Sequence, residues 1–242
     1  MSDQALRAAV VLGARNLGGA ITRDLLACGV RVATVARTSA DLKGLAADGA
    51  VTLRADVADP DLLRGVLGRA SAELGPIDLI VNAVSTTRPS GGGAFGGGAV
   101  ATATLDGFDG WAVPAARHAF VFLREGARAL EGRHGTLIQI AGAPARRANP
   151  ERGLVAAGMA GVRALAHASA QELRGNGIHV ALLIVDGIIE SPKTAQMTAR
   201  MPVGALVRQD DVAHAVRFLA TQSPHGLTHE LVITASGDRW LP

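Results

Sequence analysis

Ala8-Ala9-Val10-Val11-Leu12-Gly13-Ala14-Arg15-Asn16-Leu17-Gly18-Gly19 decides how the rest of the chain is read. Five apolar residues run straight into a glycine-rich turn, and residues 20–26 then carry apolar positions at helical spacing. A strand that is apolar without alternation is covered on both faces, which belongs to a parallel sheet. Glycines at the turn and at the start of the following helix leave the helix N-terminal N–H groups open to an anion, since no side chain blocks the approach. This unit predicts a diphosphate cradle, with Gly13, Arg15, Asn16, Leu17 and Gly19 as the residues expected to hold it.

The same rhythm continues outward. Apolar runs at 8–12, 30–35, 79–81, 136–140, 179–185 and 231–234 read as strands, while 20–26, 61–74, 117–130, 154–173 and 210–221 read as helices. Seven strands and about six helices are expected in all. Right-handed crossovers between parallel strands then predict an α/β, Rossmann-like, doubly wound seven-stranded sheet flanked by helices, forming a single domain over 1–242. The second strand ends Val35-Ala36-Arg37-Thr38. An acid there would bind ribose hydroxyls, whereas an arginine suits a 2'-phosphate through its planar fork, so Arg37, with Arg15 nearby, points to NADP(H) rather than NAD. One stretch departs from the pattern: the glycine-rich insertion at about 90–98 (Ser-Gly-Gly-Gly-Ala-Phe-Gly-Gly-Gly) is too rich in glycine to hold one conformation unaided. It reads either as a lid over the crevice or as a plain flexible insertion.

Composition narrows the function classes. The 242 residues are 48% hydrophobic and 19% charged, as expected of a globular protein. Only Lys43 and Lys193 are lysines and there is no tyrosine, so a net charge of just +3 coexists with a pI near 9.9 for want of groups titrating between pH 8 and 11. Arginines are scattered and aromatic residues make up only 3%, so no nucleic-acid platform is expected. Met1 to Leu6 is polar and no long apolar run occurs, so neither a leader nor a membrane span is expected and the chain reads as cytoplasmic. A single cysteine, Cys28, and the lack of any histidine pair at i,i+4 with an intervening glutamate predict no metal centre. A Lys-Ser/Thr P-loop and a Gly-x-Ser-x-Gly elbow are both missing.

The chain resembles the short-chain dehydrogenase/reductase family along essentially its whole length. Asp56-Val57 is similar to that family's acidic site beside adenine, and the strand ending Asn82-Ala83 is similar to its Asn-Asn-Ala-Gly with only the first asparagine kept. Asp186-Gly187-Ile188-Ile189-Glu190-Ser191 stands where its Pro-Gly motif lies against the nicotinamide, and residues 209–220 are similar to its late helix. The resemblance therefore implies that Asp56, Val57, Asn82, Gly187 and Ser191 join Arg37 in holding the cofactor. It also implies a homodimer or homotetramer built on helices 117–130 and 154–173, where Ala156, Ala157, Gly158, Ala160, Gly161 and Ala164 would permit close approach.

The family's proton-delivering tetrad of Asn, Ser, Tyr and Lys falls on Ala115, Gly142, Val155 and Met159. None of the four can donate a proton. A chain without tyrosine cannot supply the usual acid from another position. Asp186 is one candidate substitute, because burial would raise a carboxyl pKa toward neutrality. His118 is another, one helical turn beyond Ala115; Ser85, Thr86 and Thr87 follow the third apolar run and could hydrogen-bond substrate. The expectation is an atypical NADP(H)-binding enzyme for a small or medium organic molecule that works without the Tyr-Lys acid, for example on an activated C=C or C=N bond. The alternatives are a non-redox isomerase, cyclase or dehydratase, or an inactive NADP-binding protein. The loops at roughly 86–104 and 190–208 carry no recognisable substrate signature.

Overall fold

The computed structural model describes residues 6–85, 89, 96–192, 194–202 and 204–237. Its first half runs β1 (Ala8–Leu12), α1 (Leu17–Ala27), β2 (Arg31–Ala36), α2 (Ser39–Ala47), β3 (Val51–Arg54), α3 (Pro60–Leu74) and β4 (Leu79–Asn82). The second half runs α4 (Leu105–Trp111), α5 (Val113–Ala129), β5 (Gly135–Gly142), a 3-10 turn (Ala143–Ala145), α6 (Gly153–Arg174), β6 (Ile178–Val185), β7 (Ile188–Ile189), α7 (Ala195–Thr198), β8 (Leu206–Val207), α8 (Gln209–Ala220) and β9 (Glu230–Ile233). Seven strands pair in parallel in the order β3-β2-β1-β4-β5-β6-β9, and β7 and β8 form a separate short ribbon. The doubly wound sheet is as expected. Elements the hydrophobic pattern passed over are short: β3 spans four residues and is only half-buried at Val51 and Thr52, too brief for a period to register.

The chain leaves β1 toward β2 and β3 on one side, then crosses back so that β4, β5, β6 and β9 build the other. That reversal opens a crevice at the carboxyl ends of β1 and β4, the place where such sheets bind ligands. Separate apolar clusters cover the two faces of the sheet, one around Leu63, Phe122 and Leu137 and the other around Ile21, Leu79 and Val216. The Thr22 hydroxyl of α1 donates to the Gly18 carbonyl at 2.8 Å and lies 2.9 Å from the Thr34 hydroxyl of β2.

Of the glycine-rich insertion, residues 90–95 lie outside the described residues, as do Thr86, Thr87 and Lys193. Its end is ordered against α6. Gly96 and Gly97 have φ of 98° and 96°, and the Gly96 carbonyl accepts the Val155 N–H. A Cβ on Gly97 would stand 2.6 Å from Leu154 Cδ2, so this part of the insertion is a fitted strap over the start of α6. The small residues of α6 divide by face. Gly158 lies so close to α5 that a Cβ would come 2.5 Å from the Ala112 carbonyl, and Gly161 faces Ala116, so both serve packing inside the chain. Ala156 is buried as well, whereas Ala157, Ala160 and Ala164 are exposed.

Candidate active site

The β1–α1 turn is shaped by contacts that only hydrogen tolerates. Gly13 has φ 102°, and its N–H donates to the Val35 carbonyl at 2.8 Å. A Cβ on Gly18 would sit 2.0 Å from the Gly13 carbonyl oxygen, and one on Gly19 would sit 2.8 Å from that of Ala14. Asn16, the residue before α1, takes a positive φ of 46°, an uncommon conformation for a residue with a side chain. Its side chain caps nothing and the first turn of α1 has no acidic residue, so the helix N-terminus presents N–H groups and a partial positive charge. Leu17 packs its side chain into the core beneath, and Arg15 is exposed with its Nε 3.8 Å from Asp41.

Two strands away a cavity of about 410 Å³ is lined by Arg37, Arg54, Ala55, Asp56 and Leu62. Arg37 follows β2 and Arg54 ends β3, so the parallel register brings two guanidinium groups to one hollow. Arg54 was missed from the sequence because a lone arginine closing a short, unrecognised strand has no local signature. Asp56 accepts the Ala58 N–H at 3.1 Å, which orders the turn. Val57 is buried in the core and offers the site no polar atom from its side chain. A glycine cradle closed to any Cβ, followed by a doubly cationic hollow, fits a dinucleotide carrying a 2'-phosphate.

At the other end the expected acids are placed differently from the expectation. Asp186 is 1% exposed, and both its oxygens are taken by the Arg147 guanidinium, one through Nη2 at 2.8 Å. Arg146 Nη1 lies 4.0 Å from the same carboxylate. Both Asp186 oxygens therefore act as acceptors in a bidentate fork. His118 is buried, and burial pushes its pKa down more than the charge of Asp56 pulls it back up. The ring is held neutral by that burial, and its Nε2 has no partner among the described residues.

Asn82 turns inward. Its Nδ2 donates to Gln139 Oε1 at 2.9 Å and its Oδ1 accepts the Val84 N–H, so its side chain joins β4 to β5 and braces the crevice. Gly187 follows β6 at the turn toward β7, and the Ser191 hydroxyl lies 3.0 Å from that of Thr194. A larger cavity of about 950 Å³ lies between α1, α7 and α8, reached by Ser191 at its edge. Its charges are largely paired, Arg23 with Asp48 and Asp24 with Arg217, so it is no match for a single anionic ligand.

The four tetrad positions share an apolar neighbourhood. Ala115 packs with Ala141, Ala145, Val162 and Leu182, with Met159 against them, and Val155 is buried under the glycine strap. Gly142 alone has room: a Cβ there would make only an ordinary 3.5 Å contact with Pro144. Among the described residues no group of three metal-ligating side chains converges, and no helix is long and apolar enough to cross a membrane.

Comparison with known proteins bears on the family and the fold. The family model described as enoyl-(acyl carrier protein) reductase matches residues 11–237. A cis-4-hydroxycyclohexanecarboxylate dehydrogenase of Sinomonas cyclohexanicum is 29% identical over 90% of both chains. A 2-(R)-hydroxypropyl-CoM dehydrogenase of Xanthobacter autotrophicus is 30% identical, covering 88% of this chain and 91% of its own. An NADPH-bound short-chain oxidoreductase from Pseudomonas aeruginosa, described as containing an atypical catalytic center, superposes with a TM-score of 0.81 at 22% identity, over 97% of this chain and 98% of that one.

Proposed function

The chain belongs to the short-chain dehydrogenase/reductase family, and from that premise we propose that it is an NADP(H)-dependent oxidoreductase of a small or medium organic molecule, working without a tyrosine-lysine acid. The observation that carries this reading is the pairing of Arg37 and Arg54 in one hollow beyond a cradle that admits no Cβ at Gly18. Gly13, Gly18 and Gly19 would hold the diphosphate against the N–H groups of Asn16 and Leu17. Arg37 and Arg54 would take the 2'-phosphate, with Arg15 at the rim and Asp56 toward adenine. Gly187 and Ser191 would close over the nicotinamide end. The NADPH-bound relative with an atypical centre supports the pairing of this cofactor with a non-standard site.

Bound NADPH would supply a hydride; the residues at the reacting end cannot supply the proton. Ala115, Val155 and Met159 exclude water from one wall, and both Asp186 oxygens are taken by the Arg147 guanidinium. Such a site suits an activated C=C or C=N bond, whose reduction needs a weaker acid than a ketone does, so solvent suffices. The apolar lining of the four vacated positions favours one second reading, a catalytically inactive NADP-binding protein. Self-association as a dimer or tetramer through the exposed faces of α5 and α6 belongs to the same proposal, and Ala157, Ala160, Ala164 and the half-exposed Phe120 are its surface.

The test is fluorescence titration with NADPH and NADH. Wild type is expected to bind NADPH saturably, and Arg37→Ala or Arg54→Ala to weaken it roughly 10- to 150-fold, the worth of a lost charge-assisted contact of about 1.5–3 kcal/mol, with NADH nearly unaffected. Absence of saturable NADPH binding would sink the reading. Consumption of NADPH with an acceptor separates an oxidoreductase from an inactive binder, while conversion with the dinucleotide removed would identify a non-redox isomerase, cyclase or dehydratase.

A further inference from the structure

His118 carries a polar atom that the folded chain leaves unmet. The residue is 9% exposed, and its Nε2 is buried without a hydrogen-bond partner among the described residues. Such an atom has lost its water and gained no partner, a condition that native interiors seldom keep without a use for it.

Helix register gives its position. α3 and α5 both start at the carboxyl edge of the parallel sheet and return to the amino edge, so they run in the same direction. Arg64 Nε of α3 meets Glu125 Oε2 of α5 at 2.9 Å. Two turns back from Glu125, about 10 Å along the axis, stands His118. The same distance back from Arg64 passes the start of α3 at Pro60 and reaches the Asp56-Val57 turn. Val121 and Phe122, which share a helix face with His118, pack in one apolar cluster with Val57. The ring thus stands beside the turn whose Asp56 lines the hollow of about 410 Å³ with Arg37 and Arg54. Burial keeps the ring neutral, and the charge that pulls the other way is that of Asp56. Other charges on the surrounding elements are engaged elsewhere. Asp59 accepts the N–H groups of Asp61 and Leu62, Arg64 holds Asp61 and Glu125, and Arg124 and Arg128 also meet Glu125. Arg117, next to His118 in α5, is exposed.

We propose that His118 and Asp56 form a proton-linked switch on the cofactor hollow, in which a proton taken up by the imidazole draws the Asp56 carboxylate away from the adenine. This rests on the NADP(H) reading above, in which Asp56 lies toward adenine, and adds the regulation of that site. While the ring is neutral, Asp56 can accept from the adenine N6 amino group as its Oδ1 keeps the Ala58 N–H at 3.1 Å. An imidazolium has a donor on each nitrogen and a full charge, and in a buried setting it needs a carboxylate. The proton and the base therefore compete for one acceptor. By linkage, binding of the dinucleotide makes the ring harder to protonate, and a protonated ring binds the dinucleotide less well. Affinity is full above the ordinary histidine value of about 6.5 and falls as the pH drops below it. The protein would let go of its cofactor as its surroundings acidify.

The experiment measures the affinity of the full chain for NADP+, the acid-stable form of the cofactor, from pH 7.5 to 5.0. A phosphate monoester itself titrates at about pH 6, so its effect must be separated. Nicotinamide hypoxanthine dinucleotide phosphate is the control, since it keeps the 2'-phosphate but presents an oxygen acceptor to Asp56 in place of the amino group. Wild type is expected to lose affinity for NADP+ about 3- to 10-fold more than for the hypoxanthine analogue, the effect of one linked proton over half to one pH unit. Calorimetry at pH 5.5 in buffers of different ionisation enthalpy is expected to show more proton release with NADP+ than with the analogue. His118→Phe and Asp56→Asn should each make the two pH profiles parallel. Parallel profiles in wild type would overturn the proposal, and that comparison needs no variant to fold. An excess that persists in folded His118→Phe would overturn it as well. Failure of NADP+ to bind at any pH would instead overturn the underlying cofactor reading.

Discussion

Individual residues in this chain are set by what their neighbours leave room for. Gly18 and Gly142 make the contrast. The first would drive a Cβ to 2.0 Å from a backbone carbonyl, whereas the second would meet nothing closer than 3.5 Å. Gly142→Ser is therefore expected to leave stability within about 0.5 kcal/mol of wild type. Gly18→Ala should shift the turn and abolish NADPH binding; calorimetric melting and the NADPH titration check the two. His118 and His179 also titrate abnormally, because burial lowers both their pKa values. The unfolded chain takes up protons at these positions near pH 6.5, and the folded chain resists them until lower pH. Stability from this source is complete above about pH 6.5 and declines as pH drops below it. The melting temperature is expected to fall between pH 7.5 and 5.5, less steeply in His179→Gln; a flat profile would contradict the assignment.

Between elements, ion pairs and glycine contacts do work that hydrophobic pattern does not reveal. The Glu125 side chain of α5 is fully buried against α3, where it accepts from Arg64 Nε at 2.9 Å and from Arg128 Nη1 at 3.0 Å. Burial on its own would raise the Glu125 carboxyl, but the Arg64 and Arg128 hydrogen bonds and charges outweigh it and lower the pKa. A carboxyl lowered in the folded state gives stability that is present above the unfolded value, near pH 4.3, and is lost as pH falls through the folded one. Glu125→Ala is expected to cost about 1–3 kcal/mol at pH 7, and the difference from wild type should shrink under acid, read by denaturant melts at pH 7 and pH 3. At the α6 strap, Gly97→Ala combines a positive φ with a clash on Leu154. A loss near 2 kcal/mol, or about 4–8 °C in melting temperature, is expected.

For the whole molecule, the reversal of strand order between β1 and β4 brings the cradle, the arginine hollow and the Arg147–Asp186 pair to the carboxyl edge of one sheet. Association belongs to this scale too. Sedimentation is expected to show a dimer or larger species, and Ala160→Arg on the exposed face of α6 should shift it toward monomer without altering Gly158 or Gly161, which face inward. A wild-type monomer at micromolar concentration would refute the association.

Local covalent rules were enough for the parallel sheet, the β1–α1 cradle and the loss of the tyrosine acid, because apolar runs, glycines and the absence of a residue type are properties of short stretches. Arg37 could be singled out for the same reason, standing at a strand end that the pattern identifies. Tertiary structure alone decided that Arg54 joins Arg37, that Asn82 turns inward, that His118 looks toward Asp56 and that Asp186 is bound by Arg147. Arg147 and Asp186 are 39 residues apart and meet only because β5 and β6 are neighbours. Which donors a buried carboxylate accepts from depends on such a meeting of strand ends, and no local pattern in the sequence records it.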